Sequence, residues 1–268
     1  MATCKFGGDA VLNNNSIRFN PVSSALANLP NGAGTIAVLV LNNNATNRDW
    51  AGLNNNPPSS VSEWYHGLAQ DGTGGPNNNK LLDDDGLVGA WNATALATPN
   101  TEFWIAVVDW PSGAAAKERF HWSSVLSAAE SWTNEDSGAN NGGNRAGPTT
   151  SAGYFNIGTH GTNAFDGSIA LVGVWAGTRF TDTDATNLWV NKKTSDWYNH
   201  PAGTPTFLVE LNTLTPTDIG ASPSTYSATG SSVTLTGPDP SGWTFDARGT
   251  TAPIPVPREF PARHFGPF

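Results

Sequence analysis

The sequence predicts an all-β protein, an antiparallel two-sheet sandwich that ends in an extended C-terminal arm. Three observations carry that expectation. Short apolar or alternating runs recur between connections rich in Asn, Gly and Pro, the rhythm of strands and turns. Helix-like patterning is confined to Thr181 to Val190 and, as a weaker signal, Ser124 to Glu130. The composition agrees: the 268 residues include 29 Gly, 19 Pro and 11 Trp, and only 13% are charged, which suits a turn-rich globular chain and not a disordered one.

The strand candidates, in order, are Ser16 to Asn20, Thr35 to Val40, Glu63 to Ala69, Leu87 to Trp91, Phe103 to Trp110 and Arg119 to Ser123. Between them lie Asn13-Asn14-Asn15, Asn42-Asn43-Asn44, Asn54-Asn55-Asn56 with Pro57-Pro58, and Gly74-Gly75-Pro76. Asn tolerates left-handed backbone and caps its own turns, so these triplets read as loop punctuation. The intervals share no period, which excludes a repeat architecture. Cys4 stands alone and pairs with no second cysteine in the chain; its place in the opening segment predicts an exposed, idle thiol.

The stretch from Gly153 to Trp189 is the most structured. Gly153 to Gly161 reads as strand and tight turn, Phe165-Asp166-Gly167 as a second turn, and Ser168 to Trp175 as a strand with two apolar faces. Strict alternation places Ile169, Leu171 and Trp175 on one face and Ala170, Val172 and Val174 on the other, so this strand is expected to be covered on both sides. Beyond Phe180, Thr181 and Asp184 have the spacing of an acidic capping box that opens a short helix ending near Trp189.

That order of turn, F-D-G, apolar strand and capped helix resembles the closing segment of laminin-G-like jelly rolls of the concanavalin A-like superfamily. Thr35 to Val40, Trp64-Tyr65-His66-Gly67 and Glu102 to Val108 resemble its central strands, and Val108-Asp109-Trp110-Pro111-Ser112-Gly113 with Arg119-Phe120-His121 resembles its hairpin. The likeness covers about residues 10 to 190. Residues 195 to 245 resemble, on general pattern, the tail that follows this domain in structural proteins of actinobacterial phages. The expected organisation is therefore a jelly-roll domain over residues 1–245, with a core of about 10–190 and an extension over 191–245, followed by an arm over 246–268.

The chemistry-bearing residues point away from catalysis. Glycoside hydrolases of this superfamily carry two glutamates flanking an aspartate on one strand, and nothing here has that spacing; Glu130 and Glu135 stand an odd number of residues apart and cannot share a strand face. Asp83, Asp84 and Asp85, next to Gly86, are read first as an exposed turn and second as a Ca²⁺ site, because they lack the alternation of a dedicated calcium loop. No other cofactor is expected. His66, His121, His160, His200 and His264 are dispersed, without metal-ligand or hydrolase spacing. Trp50, Trp64, Trp122 and Trp132 are candidates for a sugar-stacking platform, with core packing as the competing role for each.

Charge restricts the partners. The net charge is −9 and the 13 Lys and Arg are scattered, which argues against nucleic acid and anionic membrane. The opening MATCKFGGDA has no apolar run of signal-peptide length, so synthesis and folding in a host bacterial cytoplasm are expected. Between Asp246 and Phe268 alternate prolines exclude helix and central strand. Ile254, Val256, Phe260, Phe265 and Phe268 give this arm apolar anchors for docking on other virion proteins. The resemblance implies a non-enzymatic structural protein on the exterior of a bacteriophage particle, as capsid decoration or minor tail subunit, oligomeric within it. The alternatives are a carbohydrate-binding adhesin touching host-surface polysaccharide and, remotely, a glycan hydrolase.

Overall fold

The computed structural model describes residues 2–9, 14–29, 32–43, 48–54, 64–70, 81–83, 90–91, 102–112, 119–125, 133–136, 153–158 and 165–246. In chain order the first strands are β1 (Thr3–Gly7), β2 (Ser16–Phe19), β3 (Gly34–Asn42), β4 (Arg48–Asn54) and β5 (Trp64–Gln70). A one-turn helix α1 (Ser24–Ala27) lies between β2 and β3. There follow β6 (Leu81–Asp83), β7 (Ala90–Trp91), β8 (Trp104–Trp110), β9 (Arg119–Ser124), β10 (Thr133–Asp136), β11 (Tyr154–Gly158) and β12 (Asp166–Ala176). Helices α2 (Asp182–Asn187) and α3 (Thr194–Tyr198) precede β13 (Phe207–Glu210), β14 (Tyr226–Thr229) and β15 (Val233–Gly237).

These strands build two antiparallel sheets of a jelly-roll sandwich. The eight-stranded sheet runs β10-β9-β8-β3-β12-β1-β15, with β13 also paired to β12; the seven-stranded sheet runs β14-β2-β11-β4-β5-β6-β7. The long strand β12 serves two neighbours on one edge, β1 along Asp166 to Ile169 and β13 along Leu171 to Val174. The residues expected to form an extension thus supply β13 and β15 to one sheet and β14 to the other. They complete the sandwich.

Alternation sends one face of each strand into the inter-sheet core, where Phe155 and Phe207 stand 4.6 Å apart and Phe19 meets Phe207 edge-on at 5.0 Å. Each such ring contributes about 1.5–3 kcal/mol when fully buried. A second apolar cluster lies on the outer face of the eight-stranded sheet: Leu39, Ile105, Val107, Leu171 and Trp175 are covered by Phe180, Leu188, Trp189, Trp197 and Trp243. Residues 177–246 therefore include a cap over that face. The cap begins at the expected capping box: Thr181 Oγ1 accepts the Asp184 N–H at 3.2 Å and Asp184 Oδ2 accepts the Thr181 N–H at 2.8 Å.

Three expectations change. Strict alternation along β12 fails, because the pairing with β3 shifts register between Ile169 and Leu171. Ile169, Val172 and Val174 face the inter-sheet core, whereas Ala170, Leu171 and Trp175 face the cap, as an extra residue at a β-bulge dictates. The F-D-G element is no turn: Gly167 lies within β12, paired with Phe6 and Asn42. A Cβ there would collide with the Leu41 carbonyl and sit 2.7 Å from the Phe165 ring, so the glycine permits close packing. Cys4 is not exposed. It is fully buried in β1, its thiol is pushed up to about 12 by burial, and its Sγ donates to the Thr213 carbonyl at 3.3 Å.

Candidate functional site on the outer face of the seven-stranded sheet

Charged side chains gather at one place on the eight-stranded sheet. Asp109 on β8 and His121 on β9 are both fully buried, with Asp109 Oδ2 2.6 Å from His121 Nε2. A carboxylate only accepts, so Nε2 carries the shared hydrogen. Asp109 Oδ1 accepts from Arg179 Nε at 2.6 Å, and Arg119 donates to Asp182 at 2.9 Å. Arg179 and Asp182 belong to the start of the cap. The buried Asp109–His121 pair is thus bridged to the cap by Arg179, while Arg119 and Asp182 lie partly exposed beside it.

The outer side of the seven-stranded sheet differs: among the described residues, neither apolar cluster draws on that face. Phe155 and Ile157 of β11 point into the inter-sheet core, so Tyr154 and Asn156 point outward. Cross-strand register aligns Asn156 with Arg18 on β2 and with Gly52 on β4, and Gly52 with Gly67 on β5. The row across four strands therefore reads cation, amide, and two positions without side chains. Arg18 and Tyr154 are half-buried.

Asn156 is anomalous within that row. Its side chain is fully buried, and neither Oδ1 nor Nδ2 has a hydrogen-bond partner. Leaving a buried polar group unmet costs about 1–3 kcal/mol, and such groups concentrate where a ligand or water completes them. Arg18, Ser168, Thr194, Asp196 and the indoles of Trp50, Trp104 and Trp243 also hold an unmet side-chain atom, one in each. Among the described residues, Asn156 alone has two such atoms, one acceptor and one donor.

The sequence-predicted site residues scatter. Trp50 and Trp122 are 2% and 5% exposed and belong to the inter-sheet core, so they take the packing role and form no surface platform. Trp64 opens β5 at the register position of Asn54, which pairs in turn with Tyr154; its side chain lies outside the described residues. Trp132 lies outside them entirely, as do Asp84, Asp85 and the arm residues Ile254, Val256, Phe260, Phe265 and Phe268. Asp83 ends β6, paired with Leu68, and no group of three His, Cys, Asp or Glu set to hold a metal occurs among the described residues. Of the dispersed histidines, His200 stacks on Phe180 at 4.6 Å, and burial holds its pKa below the usual value. Sequence reasoning missed Asn156 and Arg18.

No protein-family model matches the chain, and no curated protein does. Among solved structures, a native heptameric SAP-like pentraxin from Limulus polyphemus aligns with a TM-score of 0.47 at 10% identity, over 70% of this chain and 82% of that one. The CBM40 of the Ruminococcus gnavus IT-sialidase, bound to α2,3-sialyllactose, aligns at 0.39 and 13% identity, over 64% and 92%. The enzymatically active domain of tailspike protein 2 from bacteriophage CBA120 aligns at 0.39 and 13%, over 66% of this chain and 26% of that one. At these identities no site residue is carried over from any of them.

Proposed function

We propose that this protein is a non-enzymatic glycan-binding module displayed on the exterior of a bacteriophage particle. The observation that carries the binding role is the asymmetry of the two outer faces. One is sealed by the cap over Leu39, Val107 and Trp175. The other carries the half-buried Arg18 and Tyr154 beside the buried, unmet amide of Asn156, polar groups suited to a hydroxylated ligand. The resemblance of the sequence to laminin-G-like phage structural proteins supports the virion assignment, and the missing pair of glutamates supports binding without hydrolysis. Attachment falls to the arm through Ile254, Val256, Phe260, Phe265 and Phe268, by contact with capsid or tail subunits.

Purified full-length protein is applied to an array of bacterial envelope polysaccharides with and without EDTA, and reducing ends are assayed in parallel. Binding without release of reducing ends is the expected result. Binding that survives EDTA excludes a calcium-dependent site at Asp83, Asp84 and Asp85. Release of reducing ends, or no binding to any saccharide, overturns the glycan-binding reading.

A further inference from the structure

We propose that a pocket at the edge of the cap, on the eight-stranded sheet, receives this chain's own C-terminal arm in the free subunit, with Phe260 seated on its apolar floor. The pocket has a volume of about 150 Å³. Leu41, Phe103 and Val125, all buried, form its floor, and the exposed Pro238 and Asp239 and the half-buried Glu102 stand around them. An apolar cavity of about that volume holds one benzene-sized ring. The lining therefore suits an aromatic ring accompanied by positive charge.

The arm supplies that combination. Residues 247–268 set Arg248, Arg258 and Arg263 against the single acid Glu259, so the arm is cationic on a chain whose net charge is −9. Of the arm's three rings, Phe260 alone has an arginine on each side, and in extended backbone Arg258 and Phe260 share a face while Glu259 points away. The root of the arm is held near the pocket. Asp246 accepts the Ser195 N–H and hydroxyl, each at 2.7 Å. The Lys192 carbonyl accepts the Thr244 N–H at 2.8 Å, and Lys192 Nζ donates to the carbonyl of Val125 in the pocket floor. The fourteen residues from Asp246 to Phe260 reach up to about 46 Å, ample to double back. A tether of that kind gives the arm an effective concentration of roughly millimolar order, so a weak contact fills the pocket in cis. Attachment to virion subunits then starts with release of the arm from this pocket.

The test is limited trypsin digestion of the full-length protein, with cleavage after Arg258 and Arg263 followed by mass spectrometry. A synthetic peptide of residues 247–268 gives the unprotected rate. Cleavage in the protein is expected to be about tenfold slower, the protection of an arm docked roughly nine-tenths of the time, and independent of protein concentration. Asp239 holds an interaction of its own, so Glu102 is the carboxylate to alter. Glu102→Lys should restore the peptide rate. Phe260→Ser should do the same against a peptide carrying that change, and because it lies outside the residues that build the sheets it serves if Glu102→Lys fails to fold. Cleavage at the peptide rate in the unaltered protein, or protection that either folded variant leaves intact, overturns the proposal. Protection that grows with protein concentration places a second copy's arm in the pocket and overturns it as well.

Discussion

Replacing Trp197 by alanine tests whether the cap is part of the domain's single cooperative unit. Trp197 on α3 is fully buried, its ring 6.1 Å from Trp175 of β12 and 5.9 Å from Trp243. Its Nε1–H donates to the Leu188 carbonyl at 2.9 Å. Truncating a core tryptophan to alanine costs about 3–5 kcal/mol. The stranded Leu188 carbonyl adds about 1 kcal/mol. For a chain of this length that corresponds to a fall in melting temperature on the order of 10–20 °C. Trp197→Phe keeps an aromatic filler and should cost clearly less. Urea unfolding is followed by far-UV circular dichroism, which reports the sheets, and by tryptophan fluorescence, which also samples the cap through Trp175, Trp189 and Trp243. Both signals should move together to lower urea. A loss below about 1 kcal/mol, or fluorescence that changes ahead of the dichroism, would show that residues 177–246 melt on their own and would refute the reasoning.

Four further outcomes are expected. Cys4, buried with its thiol pushed up to about 12, should resist a disulfide reagent in the native protein and react fully once unfolded. Gly167→Ala should destabilise by about 1–3 kcal/mol in denaturant titration, because the clashing atoms include the Leu41 carbonyl of a paired strand, which has little freedom to retreat. His200 is held neutral by burial: Nδ1 accepts the Ala202 N–H at 3.2 Å and Nε2 meets the Asp184 carbonyl at 2.9 Å. Its folded pKa lies below its unfolded one, so unfolding stability should fall as pH drops through the ordinary histidine range near 6.5, and His200→Gln should flatten that slope. A chain ending at Arg248 should melt close to the full-length protein yet fail to join particles; unfolding of the truncated chain would place the arm within the domain.

Much of the fold was legible because local chemistry and global architecture agreed. The runs at Thr35 to Val40 and Phe103 to Trp110 form central strands, and their apolar faces suffice to mark them. Thr181 and Asp184 cap their helix as their spacing requires, since a capping box is satisfied within four residues. Long-range pairing decided the rest. The bulge in β12 depends on its register with β3, and Gly167 is explained by a neighbouring strand that local sequence does not reveal. Residues 195–245 resemble a tail only on general pattern; their strands β13, β14 and β15 are short and partly polar, and their partners come from the N-terminal half or from β12. The Asn triplets hid a similar role. Asn15 Oδ1 accepts the Gly7 N–H and its Nδ2 donates to the Phe165 carbonyl, so this loop residue ties three strand ends together.

The candidate site was illegible for the same physical reason. Tryptophan content draws attention to sugar stacking, but type alone does not say which face of a sheet a ring occupies; Trp50 and Trp122 went inward because the inter-sheet core needed volume. Asn156 sits in the plain strand Tyr154–Gly158, where an outward polar residue between Phe155 and Ile157 is unremarkable. What distinguishes it is the company supplied by β2, β4 and β5, all distant in sequence, and the absence of any partner for a fully buried amide. An amide left unmet on a face that neither apolar cluster claims works against folding unless something outside the chain completes it. That is why the structural cost at Asn156, more than any motif, singles out this strand for the proposed binding role.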